Sequence, residues 1–123
     1  MARCLIIDDA RDSAEGYAEY LRAFGFDVTT LVDSRPALSM IANDPPSVLL
    51  LDLQMPHVDG FELLRAIKAL PGPAFPVIVV SACVFPQDRK RAAEAGCDAF
   101  LAKPSAPDEV LATIHQLLGR AQS

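Results

Sequence analysis

Few residues in this chain are suited to covalent or metal cross-linking. The three cysteines, Cys4, Cys83 and Cys97, are odd in number and none stands in a C-x-x-C pair, so neither a disulfide framework nor a zinc site is indicated and a reducing compartment fits best. No apolar run approaches the roughly 20 residues a helix needs to cross a bilayer. The start Met1-Ala2-Arg3-Cys4 leads straight into a strand-like run rather than a signal-peptide pattern. A soluble, cytoplasmic protein without a membrane partner is expected. Positive charge is scarce: 11 Lys and Arg stand against 16 Asp and Glu, a formal net charge of -5, which disfavours direct binding to nucleic acid or anionic lipid. No G-x-G-x-x-G or G-x-x-x-x-G-K-[ST] follows a strand-like run, which argues against a nucleotide-binding protein. Internal repeats, low-complexity tracts and linkers are missing too. The 123 residues, 51% hydrophobic and 22% charged, are therefore expected to form one domain over 1–123, with no second domain.

What is present is an alternation of short apolar runs with longer segments of helical period. Cys4-Leu5-Ile6-Ile7, Val48-Leu49-Leu50-Leu51, Val77-Ile78-Val79-Val80 and Ala99-Phe100-Leu101-Ala102 are continuous, as strands covered on both faces should be. Asp27-Val28-Thr29-Thr30-Leu31 reads as a weaker strand. Between them, Ala14, Tyr17, Ala18, Leu21 and Phe24 keep helical spacing, as do Phe61, Leu64 and Ile67, and later Leu111, Ile114 and Leu118. Asp59-x-x-Glu62 and Ser105-x-x-Asp108 have capping-box spacing, with Pro107 early enough in its helix to be tolerated, and Ser34 with Pro36 opens a further helix. The fourth helix, Gln87 to Ala95, has little large apolar content and is expected to pack least firmly and to be mobile. Strands alternating with helices imply a parallel sheet with right-handed crossovers. The expected fold is α/β, a doubly wound (βα)5 flavodoxin-like sheet of five parallel strands in the order 2-1-3-4-5.

The chemistry lies where the strands end. The first run stops at Asp8-Asp9, the third at Asp52, the fourth at Ser81 and the fifth at Lys103. In a doubly wound sheet the crevice outside the carboxyl ends, at the switch in strand order, is where ligands bind. A lone Asp9 or Ser81 would read as a solvated loop residue or a cap. Three acids, a lysine and a hydroxyl, each placed just beyond an apolar strand, are much harder to assign to chance. An all-oxygen cluster suits a hard divalent cation, and Mg2+, for which Mn2+ could substitute, is the expected ion.

In order and spacing, the stretches Cys4-Leu5-Ile6-Ile7-Asp8-Asp9, Leu50-Leu51-Asp52-Leu53-Gln54-Met55-Pro56, Val58-Asp59-Gly60, Val80-Ser81-Ala82 and Glu94-Ala95-Gly96 through Ala102-Lys103-Pro104 resemble response regulator receiver domains. The resemblance covers essentially the whole chain. It implies a bacterial two-component or phosphorelay system in which Asp52 is the phosphoacceptor, Asp8 and Asp9 the acid pair for the metal, and the Gln54 backbone carbonyl a further ligand. It makes Ser81 the switch hydroxyl beside a small Ala82, Lys103 the phosphoryl-contacting lysine, and Phe100 the switch aromatic. A cis peptide precedes Pro104 in the family. The donor would be a sensor histidine kinase or a histidine phosphotransfer protein. Such a domain is not an enzyme in the usual sense, but it assists its own phosphorylation and dephosphorylation. The output would be a downstream protein meeting the fourth helix, fifth strand and fifth helix, reached when Phe100 turns inward as Ser81 moves toward the phosphoryl group.

The physical roles agree with this. A carboxylate nucleophile gives an acyl phosphate, and positioning plus charge neutralisation do most of the work in phosphoryl transfer. Lys103 is expected to serve the phosphoryl group rather than the fold. The chain departs from the commonest family pattern in having Ser rather than Thr at 81 and Phe rather than Tyr at 100, while Gln54 and Cys83 occupy variable positions. Other residues read more plainly: His57 as a solvated loop side chain, His115 as exposed, Cys83 and Cys97 as packing or loop thiols, and Arg89-Lys90-Arg91 as a solvated helix face. An aspartyl-nucleophile phosphatase needs a second acid two residues after the nucleophile, where Gln54 stands. A pseudo-receiver that binds partners without phosphate is the remaining alternative, and the intact set of acids, Ser81 and Lys103 argues against it.

Overall fold

The computed structural model describes residues 2–56, 58–82 and 85–122. The readings of His57 and Cys83 therefore lie outside the described residues. In chain order the elements are β1 (Arg3–Ile7), α1 (Arg11–Ala23), β2 (Asp27–Leu31), α2 (Ala37–Asn43), β3 (Val48–Leu51), β4 (Gln54–Met55), β5 (Val58–Asp59), α3 (Gly60–Lys68), β6 (Val77–Ser81), α4 (Pro86–Ala95), β7 (Ala99–Ala102) and α5 (Pro107–Gln122). Five strands form one sheet in the order β2-β1-β3-β6-β7, every pair parallel, which is the expected doubly wound arrangement. A two-stranded antiparallel ribbon, β4 with β5, is additional to it.

The continuous apolar runs are explained by burial on both faces. In β1, β3 and β6, Leu5, Ile7, Leu49, Leu51, Val77 and Val79 point to one side, where they meet Ile41 of α2, Leu64 and Ile67 of α3, and Ala92 and Ala95 of α4. Their neighbours Cys4, Ile6, Val48, Leu50, Ile78 and Val80 point the other way, into α1 and α5. This is the period of two of a pleated strand, with both phases apolar because both faces are covered. The edge strand β7 is half-buried along its length. The residues α4 buries are alanines, Ala92 and Ala95, so it presses on the sheet with little apolar surface. Arg89 and Arg91 depart from a merely solvated face: the Arg89 guanidinium lies 4.9 Å from the Phe100 ring centroid and that of Arg91 lies 3.9 Å from the Phe61 ring centroid. Both contacts are of the cation–π kind.

A helix follows each of the three expected starts, but the side chains there behave differently. Asp59 caps α3 through its side chain, accepting from the backbone N–H of Phe61 at 3.0 Å and of Glu62 at 3.4 Å. Ser105 does not cap α5, because its hydroxyl turns back and donates to the Ala102 carbonyl at 2.7 Å; Pro107 is the first helical residue. Ser34 makes no side-chain cap on α2 either. It acts through its carbonyl, which accepts from Ala37 N–H at 3.0 Å. The β5–α3 junction is tight: a Cβ at Gly60 would stand 2.5 Å from Leu53 Cα. Gly60→Ala is thus expected to lower stability by about 1–3 kcal/mol, since backbone rather than a flexible side chain must yield. A urea midpoint equal to that of the unmodified protein would show that the junction is looser than this.

Candidate functional site

Strand register brings the site together. Ile7 and Leu51 are partners across β1 and β3, so Asp8 and Asp52, each the next residue, leave adjacent strands side by side. Their backbones are held there, Asp8 N–H donating to Leu31 O at 3.1 Å and Asp52 N–H to Ile7 O at 3.0 Å. Ser81 is the partner of Ala102 across β6 and β7, and the N–H of the following Lys103 donates to Ser81 O at 2.9 Å. The Lys103–Pro104 bond is cis.

Asp8 and Asp52 are 3% and 6% exposed, whereas Asp9 is exposed. One carboxylate oxygen from each of the three lies within 4.8 Å of the others. Each buried carboxylate divides its oxygens between a backbone donor and a lysine. Asp8 Oδ1 accepts from Ala10 N–H at 2.9 Å, and Asp52 Oδ1 accepts from Gln54 N–H at 2.9 Å. The opposite oxygens share Lys103, whose Nζ donates to Asp8 Oδ2 at 2.8 Å and to Asp52 Oδ2 at 3.2 Å. In this state Lys103 therefore holds the two acids.

One ammonium stands against three carboxylates, two of which it touches. Burial pushes the Asp52 carboxyl above its ordinary value; the Gln54 N–H and the Lys103 charge oppose this, and the Asp8 charge reinforces it. Burial pulls Lys103 down, but hydrogen bonding to Asp8 and the charges of both acids outweigh it, so its pKa is raised. Asp52 is thus a carboxyl whose ionised form the fold disfavours, chiefly through burial. A compact set of oxygen donors with uncompensated negative charge fits a hard divalent cation such as Mg2+, which favours carboxylates supplemented by water and phosphate oxygens.

Ser81 is fully buried at the end of β6, and Ala82 beside it is exposed. Phe100 is half-buried on β7, packed against the α2, α3 and α4 side of the core with Arg89 over its ring. The Gln54 side chain is exposed, and its backbone N–H contributes to the site by holding Asp52. Tyr17 was legible only as a core residue of α1. Its hydroxyl reaches across the fold and donates to the Ser105 carbonyl at 2.9 Å, and burial raises its pKa first of all, which keeps it a donor. The signal in the sequence was a phenol at an inward helical position, since a buried Tyr hydroxyl requires a partner. His115 is exposed, stacked on Phe26 with centroids 6.1 Å apart. Burial, the Asp98 charge adding to it, pushes the half-buried Cys97 thiol upward, away from the range of a reactive thiolate. No helix among the described residues is long and apolar enough to cross a membrane.

Comparison with known proteins identifies the family. Residues 4–115 match the model of the response regulator receiver domain. Response regulator MprA of Mycolicibacterium vanbaalenii is 36% identical over 118 residues, which are 96% of this chain and 51% of that protein, so the chain spans about half the length of the curated relatives it matches. A CheY-like receiver domain protein from Methanospirillum hungatei superposes with a TM-score of 0.92 at 26% identity, covering 99% of this chain and 97% of that one. The BeF3-activated DrrB receiver domain superposes with a TM-score of 0.87 at 27% identity, covering 98% and 99%; DrrB is from Thermotoga maritima. The chain belongs to the response regulator receiver domain family and is the receiver domain of a two-component response regulator.

Proposed function

We propose that this domain, taken as one unit over 1–123, accepts a single phosphoryl group on Asp52 and uses it to change a protein-binding surface. The observation that carries the reading is the meeting of Asp8, Asp9 and Asp52 within one small cluster spanned by Lys103. In the forward step an Asp52 carboxylate oxygen attacks the phosphorus of a phosphohistidine. The P–N bond breaks, its electron pair returns to the imidazole, and an acyl phosphate is left on Asp52. Asp8, Asp9, Asp52 and the Gln54 carbonyl are the groups assigned to hold Mg2+, with Mn2+ as a substitute. When bound, the ion supplies charge neutralisation for the phosphoryl oxygens. Lys103 then exchanges its hold on Asp52 Oδ2 for a phosphoryl oxygen, and the Ser81 hydroxyl donates to another. That the related DrrB receiver domain takes a BeF3-activated form supports this chemistry.

The added group brings roughly -1.5 to -2 charges and three strong acceptors to the end of β6. Movement of Ser81 and Ala82 toward it would free space for Phe100, on the neighbouring strand, and alter the surface of α4, β7 and α5. The donor is a sensor histidine kinase or a histidine phosphotransfer protein, the setting is the cytoplasm, and the output is a downstream protein rather than nucleic acid or membrane. Incubation with acetyl phosphate tests the central step. With Mg2+ the intact protein is expected to gain the mass of one phosphoryl group, and in chelator to gain none. No gain in either condition would favour the phosphate-independent interaction module instead.

A further inference from the structure

We propose that Tyr17 is a positioning residue for Lys103, fixing the segment that presents the ammonium to the acid cluster. The proposal rests on the phosphoacceptor reading of Asp52 but concerns a residue of α1 that this reading does not use. On that helix Ala14, Tyr17, Ala18 and Leu21 face inward. The ring alone would meet the packing need at this buried position. The phenol adds one hydroxyl, and that hydroxyl bonds the carbonyl of Ser105, 88 residues away.

The consequence follows from how the segment after β7 is held. At its start, Lys103 N–H donates to Ser81 O and the Ser105 hydroxyl donates to Ala102 O, which ties it to the strand ends. At Ser105, the bond from Tyr17 ties it to α1. The start of α1 is in turn attached to the acid cluster, because Ala10 N–H donates to Asp8 Oδ1 at 2.9 Å while Lys103 Nζ donates to Asp8 Oδ2 at 2.8 Å. A closed circuit results, running from Asp8 through Ala10, α1, Tyr17, Ser105 and Lys103 back to the other oxygen of Asp8. Breaking it at the phenol leaves the carbonyl of Ser105, itself a buried residue, without this donor. A buried acceptor that loses its partner is costly enough to make the segment shift toward water, and Lys103 shifts with it.

Tyr17→Phe removes one oxygen and keeps the ring in the core. Because Lys103 competes with a cation for Asp8 and Asp52, a loosened Lys103 should let Mg2+ bind more tightly, by about two- to fivefold, while acyl phosphate formation from acetyl phosphate slows by about three- to tenfold, the range of one hydrogen bond. General damage to the fold would weaken both. The decisive measurement is the Mg2+ dissociation constant, followed by NMR titration, for the unmodified protein, Tyr17→Phe, Lys103→Ala and the double variant. The expected result is a Tyr17→Phe effect that vanishes when Lys103 is absent. An equal effect in both backgrounds, no effect in either, or a loss of affinity in step with the rate would overturn the proposal. If the unmodified protein takes up no phosphoryl group, the phosphoacceptor reading falls, while the Mg2+ cycle still decides whether Tyr17 acts through Lys103.

Discussion

Asp52→Asn is expected to abolish phosphoryl labelling and, in chelator near neutral pH, to raise the stability of the protein by about 0.5–2 kcal/mol, the sign usual for relief of a strained functional site. Asparagine has no carboxylate nucleophile, so the loss of labelling is complete rather than partial. The gain in stability comes chiefly from no longer burying the ionised Asp52 carboxylate. Asp8 and Asp52 share one ammonium, and burial moves the Asp52 carboxyl above its ordinary value of 3.8. A folded-state pKa above the unfolded one means that the fold disfavours the ionised form. The Asp52 contribution to stability therefore falls as pH rises from the ordinary value through the raised one, and at neutral pH it is unfavourable. An amide of the same shape can still accept from Gln54 N–H without the charge. Asp9→Asn should shift stability less, because Asp9 is exposed and solvent screens it. Mg2+ should stabilise the unmodified protein in proportion to RT ln(1 + [Mg2+]/Kd) and Asp52→Asn less. Urea melts with and without Mg2+ measure both effects. A variant less stable than the unmodified protein in chelator would mean that the ionised Asp52 carboxyl does not strain the fold, and one that still labels fully would place the acceptor elsewhere.

The sheet and the site were legible for the same physical reason. Strands buried on both faces must be continuous apolar runs, so the first polar residue after each run marks a carboxyl end, and Asp8, Asp52 and Lys103 stand at those points with Ser81 closing β6. What escaped the sequence depends on direction or on partners distant in the chain. β4 and β5 have two residues each, too few for any period to register. A serine three residues before an acid can accept from a helix N–H or donate to a carbonyl, and spacing does not distinguish the two; Ser105 donates. Arg89 and Arg91 resembled a solvated charge run because the rings beneath them, Phe100 and Phe61, come from β7 and α3. Tyr17 was recognisable by period as core, but its hydroxyl finds its partner only once α1 is packed beside the segment after β7. Lys103 was placed correctly, yet its hold on both acids is a property of the cluster rather than of the motif.

That hold on two acids gives Lys103→Ala an outcome opposite in sign to that of Asp52→Asn. Removing the ammonium leaves two carboxylates that are 3% and 6% exposed facing each other without it. Loss of one partner from a fully buried pair costs about 3–5 kcal/mol. The Lys103 side chain is 20% exposed, which admits water and reduces the expected loss in chelator to about 2 kcal/mol. Because its pKa is raised, the contribution of Lys103 is fully present below its ordinary value of 10.5 and disappears only as pH rises through the higher folded-state value, so the difference should persist at neutral pH. Mg2+ should reverse it. With no ammonium competing for Asp8 and Asp52, the ion binds more tightly and raises the urea midpoint of Lys103→Ala by more than that of the unmodified protein. Restored stability should not restore chemistry: with one preorganised charge missing from the transferring phosphoryl group, acyl phosphate formation at saturating Mg2+ should fall by about a hundredfold. Stability in chelator, the Mg2+-dependent shift and the labelling rate are thus predicted to move down, up and down respectively. A Lys103→Ala protein as stable as the unmodified one in chelator would mean that the ammonium does not hold the acid pair in solution, and an unchanged labelling rate would remove Lys103 from the transfer step.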